Sequence, residues 1–205
     1  MKLLTSLMAL LILSAAAYAA DQPSVQFDPS EVVLNGAKPG NKISWVGMVR
    51  EFNGSVPSLR IVRGLEPAKG KGELSLAKGF DPSCSVWAIG GIDDPMTIVR
   101  SGNRCAMSDE PIQVKAVPGT DRITIHSSIV FGHYLGRKNS AWRFAGRDGS
   151  EVDADGAING QIVISLKAMG KLKGSPKPPE SIGVGDTLLL LDSDRMRATA
   201  VEVQK

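Results

Sequence analysis

Apolar and polar residues alternate over many short stretches of this 205-residue chain. Alternation puts successive side chains on opposite faces of an extended backbone, so it predicts strands that are half-buried against a core. In residues 42–49 the alternation places Ile43, Trp45 and Val49 on one face. Short apolar or alternating stretches predict further strands at residues 59–62, 74–77, 85–89, 97–100, 161–166, 187–191 and 198–203.

Two connections can be predicted from their turn residues. Residues 112–116 and 123–125 both alternate, and Pro118-Gly119-Thr120-Asp121 lies between them, which is typical of a β-hairpin. Residues 192–195 contain two aspartates and are predicted to be the turn between the last two strands. Only residues 165–173 could form a short helix, and Gly170 disfavours it.

The fold class follows from these short strands and from the abundance of turn formers. The chain contains 22 Gly and 12 Pro, which favours many turns over long helices. We therefore expect an all-β fold, either an OB-like barrel or a small β-sandwich. The proline-containing loop near residues 171–181 either connects two strands or marks a subdomain break within one β-rich domain, residues 21–205.

The first twenty residues have the pattern of a secretory signal peptide. Lys2 precedes an apolar stretch at residues 3–17, and small residues follow in Ala17-Tyr18-Ala19-Ala20. The stretch is shorter than the roughly 20 residues that span a bilayer. No later segment is apolar over the length of a span, so we expect a periplasmic or secreted chain without a transmembrane segment.

The cysteine count predicts one disulfide. The chain has two cysteines, Cys84 and Cys105, and an even pair in an exported protein is expected to be oxidised. The bond would close a loop of about 20 residues and stabilise the fold by about 3 kcal/mol on the chain-entropy account. A metal site would need more Cys or His ligands, and a redox pair more often has the C-x-x-C spacing.

Net charge argues against two classes of partner. The charge of +3 falls to +2 when Lys2 is removed with the leader. This excess is too small to indicate binding to nucleic acid or to an anionic membrane. We therefore expect no nucleic-acid partner.

The N-terminal half resembles a known family. The motifs are Gly36 and Gly40 before residues 42–49, then Asn53, Leu59-Arg60-Ile61-Val62, Gly72-Glu73-Leu74 and Gly79-Phe80-Asp81-Pro82. Over about residues 25–100 this pattern resembles the Slp-type outer-membrane lipoproteins of enteric bacteria. The resemblance implies an OB-like barrel and a location in the cell envelope. The family has no established catalytic residues to carry over, and its lipid anchor cannot be carried over, because Ala19-Ala20-Asp21 contains no cysteine.

Aromatic and basic residues are densest in residues 131–144. Aromatic rings and arginine are favoured at recognition sites, because they combine flat apolar area with charge-assisted donors. The predicted contact surface consists of Tyr134, Arg137, Lys138, Trp142 and Arg143. The alternative is a strand–loop–strand whose aromatic side chains belong to the core.

Two further groups of residues could carry chemistry. Oxygen-bearing side chains recur at Glu151, Asp153, Asp155 and Asn159, as in a calcium loop, but Ile162 stands where such a loop has a bidentate carboxylate. The alternative is a polar β-turn. His126 and His133 could form part of a zinc site or act as a general base, but either role needs partners that the sequence does not identify.

These observations predict an exported, non-catalytic binding protein of the bacterial envelope that recognises a protein or glycan partner and needs no cofactor. One alternative is an inhibitor or immunity-type protein directed against an exported toxin. The other is a small exported hydrolase that uses His126 or His133. The sequence leaves the oligomeric state open.

Overall fold

The computed structural model describes residues 23–28, 31–53, 56–78, 84–91, 96–102, 107–136, 140–148, 160–172 and 175–205. The strands are β1 Ser24–Asp28, β2 Glu31–Asn35, β3 Lys42–Asn53, β4 Val56–Pro67, β5 Leu74–Lys78, β6 Ser85–Gly91, β7 Thr97–Ser101, β8 Val114–Ala116, β9 Arg122–His126, β10 Ile129–Gly136, β11 Ser140–Arg147, β12 Gln161–Ser165, β13 Gly170–Lys171, β14 Thr187–Asp192 and β15 Arg197–Glu202. The predicted all-β class is confirmed. The leader, residues 1–20, lies outside the described residues.

Local patterns predicted most of these strands. The hairpin of β8 and β9 forms as expected, with Ala116 paired to Ile123 and Val114 to Ile125. The sequence allowed a short helix within residues 165–173. The structure instead has a 3₁₀ turn, Leu166–Ala168, followed by β13. The strands β1, β2, β10, β11 and β13 were not predicted individually.

The strands form four antiparallel sheets. Sheet 1 has the order β1-β2-β5, sheet 2 β4-β3-β6-β7, sheet 3 β13-β11-β10-β14-β15 and sheet 4 β12-β9-β8. No sheet in the described part of the chain closes on itself, so these strands do not form the OB-like barrel that was one of the two expected architectures.

Three apolar clusters show how the sheets are stacked. The first core cluster combines Leu34 and Leu74 of sheet 1 with Ile43, Trp45 and Val49 of sheet 2, and it confirms the face predicted for those three residues of β3. The second core cluster lies between sheets 2 and 3, and the third lies between sheets 3 and 4. Sheets 2 and 3 are therefore covered on both faces.

Strand β14 shows what burial on both faces does to a sequence. Leu188 and Leu190 belong to the third core cluster, whereas Leu189 and Leu191 belong to the second. Successive side chains of a strand point to opposite faces, so four consecutive leucines are buried without breaking the strand. The apolar run at residues 187–191 is continuous because this strand has no solvent face.

The loop after β13 lies along sheet 3. Ser175 forms hydrogen bonds through its hydroxyl group with the backbone N–H and C=O of Ala141 in β11. The backbone N–H of Ile182 donates to Thr120 O at 2.8 Å. The segment near residues 171–181 therefore connects β13 to β14 of the same sheet and contacts the β8–β9 hairpin.

Cys84 is fully buried in the second core cluster, and its Sγ lies 4.0 Å from Sδ of Met196. It is not a free thiol. Cys105 lies outside the described residues, so the disulfide between the two stays a prediction. Within the described ranges no helix has the length and apolar character needed to cross a membrane.

Candidate functional site

The residues proposed as a contact surface do not form one surface. Tyr134 is 0% exposed and Trp142 is 3% exposed, and their ring centroids are 5.7 Å apart in the third core cluster. Arg143 is exposed, and Arg137 and Lys138 lie outside the described residues. The expectation that the two rings face a partner was therefore wrong. They belong to the core of a strand–loop–strand unit, which was the alternative.

Both rings are held in place by their polar ends. The Tyr134 hydroxyl group donates a hydrogen bond to Asp186 Oδ2, and Trp142 Nε1 donates to Pro176 O at 2.9 Å. Burial, and then the hydrogen bond to Asp186, raise the pKa of Tyr134 above its usual range. Neighbouring residues of a strand point to opposite faces, so Arg143 cannot share a surface with Trp142.

The calcium candidates Glu151, Asp153, Asp155 and Asn159 lie outside the described residues. Among the residues that are described, no three His, Cys, Asp or Glu side chains converge as a metal site requires.

The two histidines lie on different strands and in different environments. His126 is exposed at the end of β9 in sheet 4. His133 is fully buried in β10 of sheet 3, and its Nδ1 lies 2.7 Å from Ser44 Oγ of β3 in sheet 2. They do not form a zinc pair in this arrangement.

The Ser44–His133 contact resembles a nucleophile–base pair but lacks its other requirements. Burial first, and then the positive charges of Arg63 and Arg143, lower the pKa of His133 to about 3. A ring with so low a pKa stays neutral near neutral pH and is a poor general base. His133 Nε2 has no hydrogen-bond partner in the described part of the chain, so no carboxylate there orients the ring.

A polar pocket of about 250 Å³ opens where sheet 3 meets the β8–β9 hairpin. Its lining is mainly polar and includes both hydrogen-bond donors and acceptors. The residues of this pocket are Glu110, Gln113, His126, Ser127, Ser128, Gly160, Asp192, Arg195 and Arg197.

Asp192 organises the pocket from the tight turn between β14 and β15. Its Oδ1 accepts hydrogen bonds from the backbone N–H of Asp194 at 3.0 Å and of Arg195 at 3.2 Å. Its Oδ2 accepts from Arg197 Nε at 2.8 Å. Met196 closes the turn with a φ of 46°, in the left-handed region. The turn predicted at residues 192–195 is therefore confirmed, and one carboxylate fixes both its backbone and the adjacent arginine.

Glu110 links the two arginines at the mouth of the pocket. Its Oε2 lies 3.5 Å from Arg197 Nη1 and 3.6 Å from Arg195 Nη1. Arg197 Nη2 donates to the carbonyl oxygen of His126 at 3.4 Å. Arg197 is thus held from three sides, whereas the side chain of Arg195 is 63% exposed and accessible to a ligand.

Of the residues that line this pocket, sequence reasoning singled out only His126 as a candidate for chemistry. Asp192 and Arg197 are a directly opposed pair of opposite charge across a hairpin, and this pattern could have identified them. Glu110 could not have been found in this way, because it lies outside the strands and reaches the arginines only in the folded chain.

Comparison with known proteins adds little. No family model matches this chain, and no curated protein matches it. The crystal structure of red sea bream transglutaminase aligns with 90% of this chain at 16% identity and a TM-score of 0.21. The alignment spans 31% of the transglutaminase chain. A similarity this low carries no argument about fold or function.

Proposed function

We propose that this protein is an exported, non-catalytic binding protein of the bacterial envelope that recognises a protein or glycan partner. The polar pocket is the observation that supports this proposal. It replaces the surface first predicted from residues 131–144, because two of those side chains are buried.

The chemistry of the pocket suits a ligand with both donors and acceptors. Arg195, Gln113 and Ser128 offer donors, and Glu110 offers an acceptor. Glycan hydroxyl groups and peptide amides are ligands of this kind. Arg197 is held by Asp192 at 2.8 Å, so the pocket loses little side-chain freedom on binding.

The histidines support binding rather than catalysis. His126 lines the pocket, but no hydrogen bond joins it to a serine hydroxyl group among the described residues. His133 does contact a serine, but both side chains are fully buried. A nucleophile must be reachable by its substrate and activated by a base in contact with it.

The proposal includes three sequence-based expectations. Residues 1–20 are the export signal, and the resemblance at residues 25–100 agrees with an envelope location. We propose that the stacked sheets are β-sandwiches. We also propose that Cys84 pairs with Cys105, which the finding that Cys84 is not a free thiol supports.

A pull-down from an envelope fraction tests the proposed function. The mature chain is used as bait, bound proteins are identified by mass spectrometry, and glycans are tested on an array. The bait is compared with the Arg195→Ala variant. We expect the variant to bind its partner about tenfold more weakly, since a charge-assisted hydrogen bond contributes roughly 1.5–3 kcal/mol.

Arg122→Ala is the matched control. Its side chain is 74% exposed, against 63% for Arg195, and it does not line the pocket. Equal binding by the wild type and Arg195→Ala would overturn the proposal for this pocket. Capture of no partner by the wild type would overturn the binding function itself.

A further inference from the structure

Two arginines meet at one margin of the interface between sheets 2 and 3. Arg63 lies on the same face of β4 as Ile61 and Leu65, because the three residues are two positions apart along the strand. Ile61 and Leu65 pack against the second core cluster, so Arg63 faces sheet 3. Its guanidinium carbon lies 5.6 Å from the centroid of the Phe131 ring in β10. Stacking on an aromatic face leaves the N–H edge of a guanidinium available to donate.

Arg143 of β11 reaches the same margin from sheet 3. It is directly opposite His133 in the β10–β11 register, and opposed residues place their side chains on the same face. A Cβ atom on Gly170 of β13 would lie 3.3 Å from Arg143 Nε, so the arginine lies against β13. Phe131, His133, Arg63 and Arg143 therefore form one group, the two-arginine cluster.

The cluster carries positive charge without a carboxylate. No Asp or Glu side chain forms an ion pair with Arg63 or Arg143 among the described residues. Burial first, and then the charge of Arg143, lower the pKa of Arg63. Two like charges held close together are unfavourable unless an anion lies between them.

His133 adds an unpartnered ring nitrogen behind the arginines. Its side chain is 0% exposed, and Nε2 has no hydrogen-bond partner among the residues described. When Nδ1 accepts the hydrogen bond from the Ser44 hydroxyl group, the neutral ring carries its hydrogen at Nε2 and can donate it to an anion. Arg63 and Arg143 are the charged groups that act on this ring.

We propose that the two-arginine cluster is a binding site for a phosphate group, either free phosphate or a phosphate monoester, with Arg63 and Arg143 as its ligands. Guanidinium groups bind tetrahedral oxyanions through paired N–H donors. The bound dianion would offset the repulsion between the two arginines and would accept hydrogen bonds from their N–H groups. The site is separate from the polar pocket and does not depend on the proposed function.

Thermal unfolding of the mature chain tests the site. Inorganic phosphate is titrated at constant ionic strength maintained with sodium chloride, for the wild type and for Arg143→Ala. We expect phosphate to raise the wild-type Tm saturably, because a ligand that binds the folded state stabilises it. We expect the apparent Kd for phosphate to be about tenfold higher in Arg143→Ala than in the wild type. Glucose 6-phosphate, compared with glucose, distinguishes an ester from the free ion.

Two comparisons separate binding from a structural role. Arg122→Ala, another exposed arginine, is expected to respond to phosphate as the wild type does. In chloride alone, Arg143→Ala is expected to unfold at or above the wild-type Tm, because removing this charge relieves its repulsion with Arg63. Arg63→Met keeps an apolar stem over Phe131 and is expected to lose the phosphate response as well.

Two results would overturn the proposal. One is a wild-type Tm that rises no more in phosphate than in chloride. The other is a phosphate response that is the same in Arg143→Ala as in the wild type, which would show a general salt effect rather than a site.

Discussion

Two of the buried polar centres in the described part of the chain solve the same physical problem differently. At the polar pocket, the side chains of Arg197 and Asp192 are 7% and 2% exposed and form an ion pair at 2.8 Å. At the interface of sheets 2 and 3, His133 is 0% exposed and pairs with the neutral hydroxyl group of Ser44. The first centre keeps its charges, whereas the second keeps its ring neutral.

The difference comes from the neighbouring groups rather than from the depth of burial. A buried charge needs an opposite charge or several hydrogen bonds, because desolvation costs several kcal/mol per ion. Arg197 has a carboxylate and a carbonyl oxygen. His133 has a hydroxyl group and faces two arginines, so burial and repulsion both favour the neutral form and lower its pKa to about 3.

The largest expected effect is at the charged centre. Asp192→Ala leaves Arg197 buried without its partner and removes the acceptor for two backbone N–H groups of the turn. We expect a loss of about 3–5 kcal/mol in the free energy of unfolding. Urea unfolding at neutral pH, followed by far-UV circular dichroism, measures it.

Two further variants separate the contribution of the Asp192 charge from that of its hydrogen bonds to the turn. Asp194→Ala removes an exposed carboxylate from the same turn and should change stability by less than about 0.5 kcal/mol. Asp192→Asn keeps a side-chain oxygen that can accept from the turn but removes the charge. Its free energy of unfolding should therefore lie between those of Asp192→Ala and Asp194→Ala. If Asp192→Ala unfolded at the same urea concentration as Asp194→Ala, the ion pair would not support the fold.

The neutral centre predicts a pH dependence. Folding lowers the pKa of His133 from 6.5 to about 3, so the folded state favours the neutral ring. The stability that this contributes is fully present above about pH 6.5 and is lost as the pH falls toward 3, by at most about 1.4 kcal/mol per pH unit. Urea unfolding from pH 7 to pH 4 should show this slope.

The slope can be assigned by substitution. His133→Gln removes the titrating ring, so the difference in stability between the wild type and this variant should shrink as the pH falls. His126→Gln changes an exposed histidine and should keep the wild-type profile. Parallel profiles for the wild type and His133→Gln would show that His133 does not stay neutral in the folded protein.

The smallest expected effect is at the mouth of the pocket. Glu110 is 61% exposed and contacts the two arginines at 3.5 and 3.6 Å. Glu110→Gln should cost less than about 1 kcal/mol, and the cost should decrease at high salt, because dissolved ions screen exposed pairs. A loss as large as that of Asp192→Ala would mean that Glu110 contributes as much to stability as Asp192 does, despite its exposure.

Alternation identified strands because it records which face of each strand is buried. Ile43, Trp45 and Val49 were assigned to one face from the sequence and lie together in the first core cluster. The hairpin of β8 and β9 was predicted because its turn residues are local. These features depend on neighbours in the chain, so the chain alone was sufficient.

The candidate site was predicted poorly for the opposite reason. The rings of Tyr134 and Trp142 were expected at a surface because basic residues lie near them in sequence, but sheet 4 covers them. Asp192 was recognised only as a turn residue. Its role depends on Arg197 across the hairpin and on Glu110, which is distant in sequence.

Taken by itself, the sequence determined the all-β class, most strand positions, two turns and the face of β3 that carries Ile43, Trp45 and Val49, because these follow from backbone geometry and local polarity. Only the tertiary structure decided that sheets 2 and 3 are covered on both faces. That stacking, which sequence periodicity does not encode, determines which polar side chains meet a partner and which remain neutral.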